Sequence, residues 1–187
     1  MKEYFYSSTD GGTAKNLANR LRDILKGEIP IIVCIGTDAM IGDSLGPLCG
    51  TFIDQKHGEL FVYGSLNKTV TAKEVGTMVK FLAKVHPKNK VLVIDAAIGA
   101  REDVGKIKIT DAPIKPGLGA DKDLPPIGDA SIICVISEKS KNNLAFTTFT
   151  RLSPVFLTAK IIADAVSIYV ESTKDLDEAL PPIAYGV

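Results

Sequence analysis

The chain has 187 residues, of which 45% are hydrophobic and 24% charged, and its 22 basic and 22 acidic side chains leave no net charge. That length supports one domain with a substantial core, and a neutral chain argues against broad non-specific binding to nucleic acid or to an anionic membrane. The amino-terminal residues lack the apolar core of a signal peptide, and no apolar run reaches the roughly 18 residues that span a bilayer, so we expect a cytoplasmic protein. The three cysteines form no C-x-x-C pair and the two histidines stand alone, so we expect no metal site and no cofactor.

The first part of the chain predicts two helices on either side of a buried strand. Residues 13–27 carry apolar side chains at helical spacing and predict an amphipathic helix. Residues 31–35 are a β-branched run typical of strands buried on both faces. A Gly-containing loop then leads into a helix over 45–55, for which Asp43 or Ser44 is the predicted N-cap. Such a loop lies at the carboxyl end of a sheet, where open α/β folds bind ligands.

A second strand, a helix and a third strand continue this alternation. Residues 60–64 predict a short strand, and His57 before it is expected to face water at the end of the preceding helix. A capping box opens the helix predicted over 72–86. The next buried strand, over 91–94, is expected to end at Asp95.

The last third of the chain contains two more strands and a long helix. Residues 106–110 alternate polar and apolar side chains, which predicts a half-exposed strand, antiparallel or at an edge. Residues 111–130 form a loop of a length that is usually functional. A buried strand over 131–136 precedes a helix that begins at Ser153 and runs to about residue 173. The alternation predicts one domain over residues 1–187, a three-layer α/β/α sandwich with a mostly parallel mixed sheet of about five strands.

Three aspartates follow the predicted strands at the edge where ligands bind. Asp38 and Asp43 follow the strand over 31–35, and Asp95 follows the strand over 91–94. Two neighbouring carboxyl groups tend to share one proton, so one can take a proton from water while the other donates one. The alternatives are structural, since an Asp before a helix is often a cap and an Asp after a strand is often a turn residue. Asp38 is expected to hydrogen-bond within its loop.

Three segments resemble, in the same order, the bacterial spore germination protease family. They are GTDAMIGDSLGP over residues 36–47, VLVIDAAIGA over 91–100 and KIKITDAPIKPGLG over 106–119. The short length of the chain and the GDSLGP form of the first segment resemble more closely the YyaC-type sporulation proteins, which are smaller relatives. The hydrogenase maturation endopeptidases share the same core.

The resemblance implies an atypical aspartic endopeptidase in the cytoplasm of a sporulating cell or spore, with Asp43 and Asp95 as the catalytic acids. The substrate it implies is a peptide or a small spore protein, with no nucleic-acid or membrane partner. In the hydrogenase maturation endopeptidases, acidic residues at these two places, with a histidine, hold nickel of the substrate protein. This chain departs from both families at Thr37, where they usually have Asn, and lacks the germination protease's basic cluster after the Pro-Gly-x-Gly loop.

Two alternatives to an aspartic endopeptidase stay open. One is a non-catalytic sporulation protein that binds a peptide or partner in the same cleft, and the other is a metal-dependent endopeptidase of the hydrogenase-maturation type. We expect backbone N–H groups near the glycines of the two loops to stabilise an oxyanion. The residues expected to bind substrate lie in these loops: Gly36, Thr37, Asp38, Gly42, Pro116, Gly117 and Gly119.

Overall fold

Helices cover both faces of a six-stranded mixed sheet in the structure, a computed structural model that describes residues 1–116, 124–139 and 150–179, without the side chains of 176–179. The strands are β1 (Glu3–Ser7), β2 (Ile31–Cys34), β3 (Val62–Tyr63), β4 (Val91–Gly99), β5 (Lys106–Thr110) and β6 (Ala130–Glu138). The helices are α1 (Thr13–Leu25), α2 (Leu45–Lys56), α3 (Val75–Val85) and α4 (Leu152–Ala179). Two short 3-10 helices span Gly42–Ser44 and Arg101–Asp103.

The strand order is β1-β5-β6-β4-β2-β3. Strand β2 pairs in parallel with β3 and β4, and β4 pairs in parallel with β6. Strand β5 is antiparallel to both of its neighbours, β6 and β1. The carboxyl ends of β3, β2, β4 and β6 therefore meet at one edge of the sheet. The predicted three-layer sandwich is confirmed, with six strands in place of about five.

Alternating side chains of the central strands enter two separate cores. Ile32 and Cys34 of β2 face the larger core, which lies under α1, α2 and α4. Ile31 and Val33 face a smaller core, to which α3 contributes Val75. Because both faces of the sheet are covered, the continuous apolar runs of β2 and β4 are buried on both sides. Full burial of one Ile or Val side chain contributes about 1.5–3 kcal/mol to the stability of the fold.

Helix α2 packs unusually close to the strands, and glycines allow it. A Cβ on Gly46 would lie 2.0 Å from the carbonyl oxygen of Ile35, and one on Gly50 would lie 2.0 Å from that of Gly64. Contacts that short do not occur between real atoms, so these positions require glycine. The close packing holds the loop between β2 and α2 in one place.

Two strands differ from their predicted extents. Strand β1 was not predicted, and because it pairs along β5, the segment 106–110 is antiparallel as predicted but is not an edge strand. Strand β4 continues past Asp95 to Gly99, since its pairing with β6 extends that far. The prediction that the strand ends at Asp95 is therefore wrong, and Asp95 is a strand residue.

His57 is also placed differently from its prediction. It follows the last residue of α2, but it is only 6% exposed and does not face water. Its ring lies between α2 and α4, with Nδ1 3.6 Å from Glu59 and Nε2 3.9 Å from Glu171. Packing against α4 thus buries His57, although it lies at the end of α2.

Helix α4 meets the length and hydropathy criteria for crossing a membrane over Leu152–Asp175, with a mean hydropathy of 1.4. Of the apolar stretch that meets these criteria, 56% is buried inside the protein, where side chains such as Val166 and Tyr169 pack in the larger core. The Tyr169 hydroxyl also donates to the carbonyl of Glu28 at 2.8 Å. The apolar stripe of α4 thus belongs to the core. The cytoplasmic location stays a prediction.

Candidate active site

The loop after β2 is folded against the start of α2. Gly36 has a φ of 143°, and a Cβ there would lie 2.0 Å from the carbonyl oxygen of Asp43. The N–H of Thr37 donates to that same oxygen at 3.1 Å. The N–H of Gly36 donates to the carbonyl of Val70 at 2.9 Å. Only glycine permits this approach, so Gly36 sets the position of Asp43.

Asp43 lies in the 3-10 helix Gly42–Ser44, directly before α2. Ser44 occupies the predicted N-cap position, but its hydroxyl donates to the carbonyl of Ile41 at 2.7 Å and makes no cap hydrogen bond. The Asp43 carboxylate does not cap α2 either. A capping role therefore does not account for Asp43, whose side chain is half-buried.

Asp95 reaches the same edge of the sheet on β4. The register places Ile94 beside Cys34 of β2 and Asp95 beside Ile133 of β6. By alternation along the strand, the Asp95 side chain lies on the face of Val93, which is the face of the smaller core. Its Oδ1 accepts a hydrogen bond from the N–H of Ala96 at 2.8 Å.

The two aspartates interact electrostatically. Burial raises the pKa of Asp95 well above its ordinary value, and the charge of Asp43 raises that pKa further. Burial also raises the pKa of Asp43, while the nearby backbone N–H of Thr37 partly offsets the shift. The 3-10 helix that carries Asp43 contacts β4. The structure thus brings the two predicted acids together, with Asp95 the stronger holder of a proton.

The other predicted site residues fall into three groups. Thr37 and Gly42 lie beside Asp43, and the Thr37 hydroxyl accepts from the N–H of Ala39 at 3.2 Å. Asp38 is exposed on the outside of the loop. Pro116 is buried near the end of a segment that Ile114 ties to Ile127. Gly117 and Gly119 lie outside the described residues.

Val70 is a site residue that sequence reasoning missed. It forms an isolated parallel bridge with Ile35 and accepts the hydrogen bond from Gly36. It belongs to the smaller core, on the Asp95 face of the sheet. A single bridging residue has no strand pattern around it, so only its apolar side chain within a polar loop could have indicated its burial.

The part of the chain that the structure describes contains no cluster of three or more His, Cys, Asp or Glu side chains arranged to hold a metal ion. A cavity of about 510 Å³ opens between the end of β6 and the start of α4, and Arg101, Glu138 and Arg151 are among its lining residues. Neither Asp43 nor Asp95 lines it. The candidate site therefore lies at the carboxyl edge of the sheet and not in this cavity.

Residues 5–165 match the family described as "Protein of unknown function (DUF1256)". The chain belongs to the DUF1256 family. It is 35% identical over 187 residues to "Uncharacterized protein YyaC" of Bacillus subtilis (strain 168), with 98% of this chain and 90% of that protein aligned. The predicted likeness to YyaC-type proteins is thereby confirmed.

A solved structure can be superposed on this DUF1256 chain. It is the [NiFe] hydrogenase maturation protease HycI from Thermococcus kodakarensis KOD1, with a TM-score of 0.49 and 18% sequence identity. The superposition covers 79% of this chain and 99% of HycI. Similarity at that level supports no statement about activity, so the roles in sporulation and in germination stay predictions.

Proposed function

We propose that this protein hydrolyses peptide bonds, with Asp43 and Asp95 as a catalytic carboxyl pair. The observation that carries the proposal is the partial burial of two interacting carboxyl groups, from separate elements, at the carboxyl edge of parallel strands. Burying an acid beside another acid costs free energy unless a proton is shared, and stability offers no reason to keep it. Pairs of acids whose environments separate their pKa values are typical of acid–base catalysis.

The two acids take different roles in this mechanism. Asp95 has the greater burial and the additional effect of its neighbour's charge, so it holds the proton and donates it to the substrate. The pKa of Asp43 is raised less than that of Asp95, so Asp43 is the ionised base that takes a proton from water. The attacking water and the peptide carbonyl lie between them.

Two backbone donors of the loop after β2 are already paired. The N–H of Gly36 donates to the carbonyl of Val70 and the N–H of Thr37 to that of Asp43, so of the donors expected near the glycines of this loop neither of these two is free for an oxyanion. Gly42 begins the 3-10 helix, where the first N–H groups lack intrahelical partners. The N–H of Gly42 is therefore the remaining donor beside Asp43, together with the proton on Asp95.

A cleavage assay with matched variants tests the proposal. Purified protein is incubated with a peptide library and with small spore proteins from about pH 4 to about pH 8, with and without a chelator. We expect cleavage by the wild type and a loss of at least about 100-fold in Asp43→Asn and in Asp95→Asn. Asp54→Asn is the control, because Asp54 is an exposed carboxylate on α2.

Two results would contradict the peptidase proposal. One is that the wild type cuts no substrate that both variants leave intact, although circular dichroism shows that all three proteins are folded. The other is cleavage that a chelator abolishes and an added divalent ion restores. The second result would favour the metal-dependent alternative.

A further inference from the structure

An aromatic patch lies exposed at the β3 edge of the sheet, away from Asp43 and Asp95. Phe61 is 58% exposed and its ring packs at a tilt of 55° against that of His86, with centroids 4.8 Å apart. Phe81 is also exposed and packs edge-on against Tyr63 at 5.3 Å. Val85 lies one helical turn beyond Phe81 and is half exposed. We call these five residues the β3–α3 patch.

Hydrogen bonds hold the backbone and the side chains of the β3–α3 patch in place. The Tyr63 hydroxyl and His86 Nε2 are 2.7 Å apart in a hydrogen bond that joins β3 to the end of α3. The carbonyl of Phe61 accepts from the N–H of Ile32, which holds this segment on the sheet. The exposed rings are thus preorganised, which lowers the entropic cost of binding a partner.

Strand β3 is the last strand of the sheet on this side. The carbonyl of Phe61 points toward β2, so by alternation the N–H and C=O groups of Val62 point outward. An edge strand with outward N–H and C=O groups is a template for an added strand. Phe61 and Tyr63 lie on the same face as α3, so an added strand would lie along the aromatic rings.

The rim of the patch is basic although the whole chain is neutral. Residues 75–90 contain four lysines and no acidic residue. Lys90 is paired with Glu28, whereas Lys80, Lys84 and Lys88 form no ion pair with any residue in the described ranges. The three lysines are exposed; Lys80 and Lys84 lie one turn apart on α3, and Lys88 follows the end of the helix.

We propose that the β3–α3 patch binds an extended acidic segment of a partner protein, which adds as a strand to β3 and places apolar side chains on Phe61 and Phe81. A second copy of this chain is disfavoured, because a symmetric contact would bring two sets of lysines together. A membrane surface is disfavoured, because lipid cannot satisfy the outward peptide groups of Val62. An acidic strand satisfies both the charge and the peptide groups.

Binding of a synthetic peptide tests the proposal. The probe is a fluorescein-labelled peptide with a core of alternating Phe and Thr, flanked on both sides by glutamates, and a matched peptide carries lysines in place of the glutamates. We expect the acidic peptide alone to bind, with an affinity that falls as salt rises. Hydrogen exchange at the Val62 amide should slow when the acidic peptide is bound.

Four variants locate the binding site. Phe61→Thr and Lys84→Glu should each weaken binding at least 10-fold. Phe5→Thr is the control for the first, because Phe5 is also 58% exposed and lies on β1, the edge strand at the opposite side of the sheet. Lys160→Glu is the control for the second, because Lys160 is an exposed helical lysine on α4.

Three results would overturn the proposal. The first is no binding of the acidic peptide, or equal binding by all four variants. The second is a dimer at high protein concentration that Phe61→Thr dissociates. The third is that the protein does not bind the peptide but binds anionic phosphatidylserine vesicles, and that this binding depends on Phe61 and Lys84.

Discussion

Two regions of this protein bury titratable side chains, and their surroundings have opposite character. At the carboxyl edge of the sheet, Asp95 lies near Asp43, a group of the same charge, and receives one hydrogen bond from its own strand. At the far end of α2, His57 lies between Glu59 and Glu171, which are themselves paired with Lys174 and Lys56. The two glutamates beside His57 are each balanced by a lysine, whereas two adjacent, partly buried carboxyl groups with no basic partner among the described residues oppose each other's ionisation. The difference is the basis of the proposal that the carboxyl edge carries chemistry, and the predictions below test it.

The largest expected effect comes from Gly36→Ala. The added Cβ would meet the carbonyl oxygen of Asp43 at 2.0 Å, and the φ of 143° is strained for alanine, so we expect a loss of at least about 3 kcal/mol in the free energy of unfolding. The matched control is Gly76→Ala in α3, where nothing lies within 4 Å, and this change should stabilise by about 0.5–1 kcal/mol. Urea unfolding of both variants measures the contrast, and an unaffected Gly36→Ala would show that the loop can move away from Asp43.

The second effect is a pH dependence that Asp95 confers on stability. Below a pH of about 4 the carboxyl is protonated in both states, and above it the unfolded chain loses the proton while the raised pKa keeps it in the folded protein. The free energy of unfolding of the wild type should therefore fall, relative to Asp95→Asn, as the pH rises from about 4 through the folded pKa. Denaturant unfolding across that range measures the difference, and parallel curves would contradict the raised pKa.

The third effect is the coupling between the two acids. Replacement of Asp43 by Asn removes the neighbouring charge and leaves only burial to raise the pKa of Asp95. The fall in stability attributed to Asp95 should then end at a lower pH than in the wild type. NMR titration of the Asp95 carboxyl carbon in both proteins measures the shift, and the same pKa in each would show that the two acids do not interact.

The smallest effect is expected at the α2 end. Glu171→Gln removes one charge of a surface pair with Lys56, with the two atoms 3.1 Å apart and both side chains about half exposed. Exposed pairs of this kind are worth about 0.2–1 kcal/mol and are screened by salt. Thermal unfolding should show a small loss at low salt that disappears at high salt. A large loss at all salt concentrations would mean that His57 depends on Glu171 for more than charge balance.

Much of the fold and the two acids themselves could be predicted from the sequence. The continuous apolar runs over 31–35 and 91–94 predicted the central strands, and helical spacing predicted the helix that begins at Thr13. These are local patterns, since each depends on the alternation or period of neighbouring side chains. Strand β1 was missed because its pattern alternates weakly and its pairing partner, β5, lies about 100 residues along the chain.

The sequence by itself determined the order of strands and helices from α1 onward, the glycine at the turn after β2, and the presence of acids after two apolar runs. Only the tertiary structure decided that Asp95 lies within a strand, that His57 is buried, and that the N–H of Gly36 is used by Val70. The physical reason is the range of the interactions involved. Side-chain period acts over a few residues, whereas strand register, burial by a distant helix and the effect of one charge on another depend on contacts between remote parts of the chain.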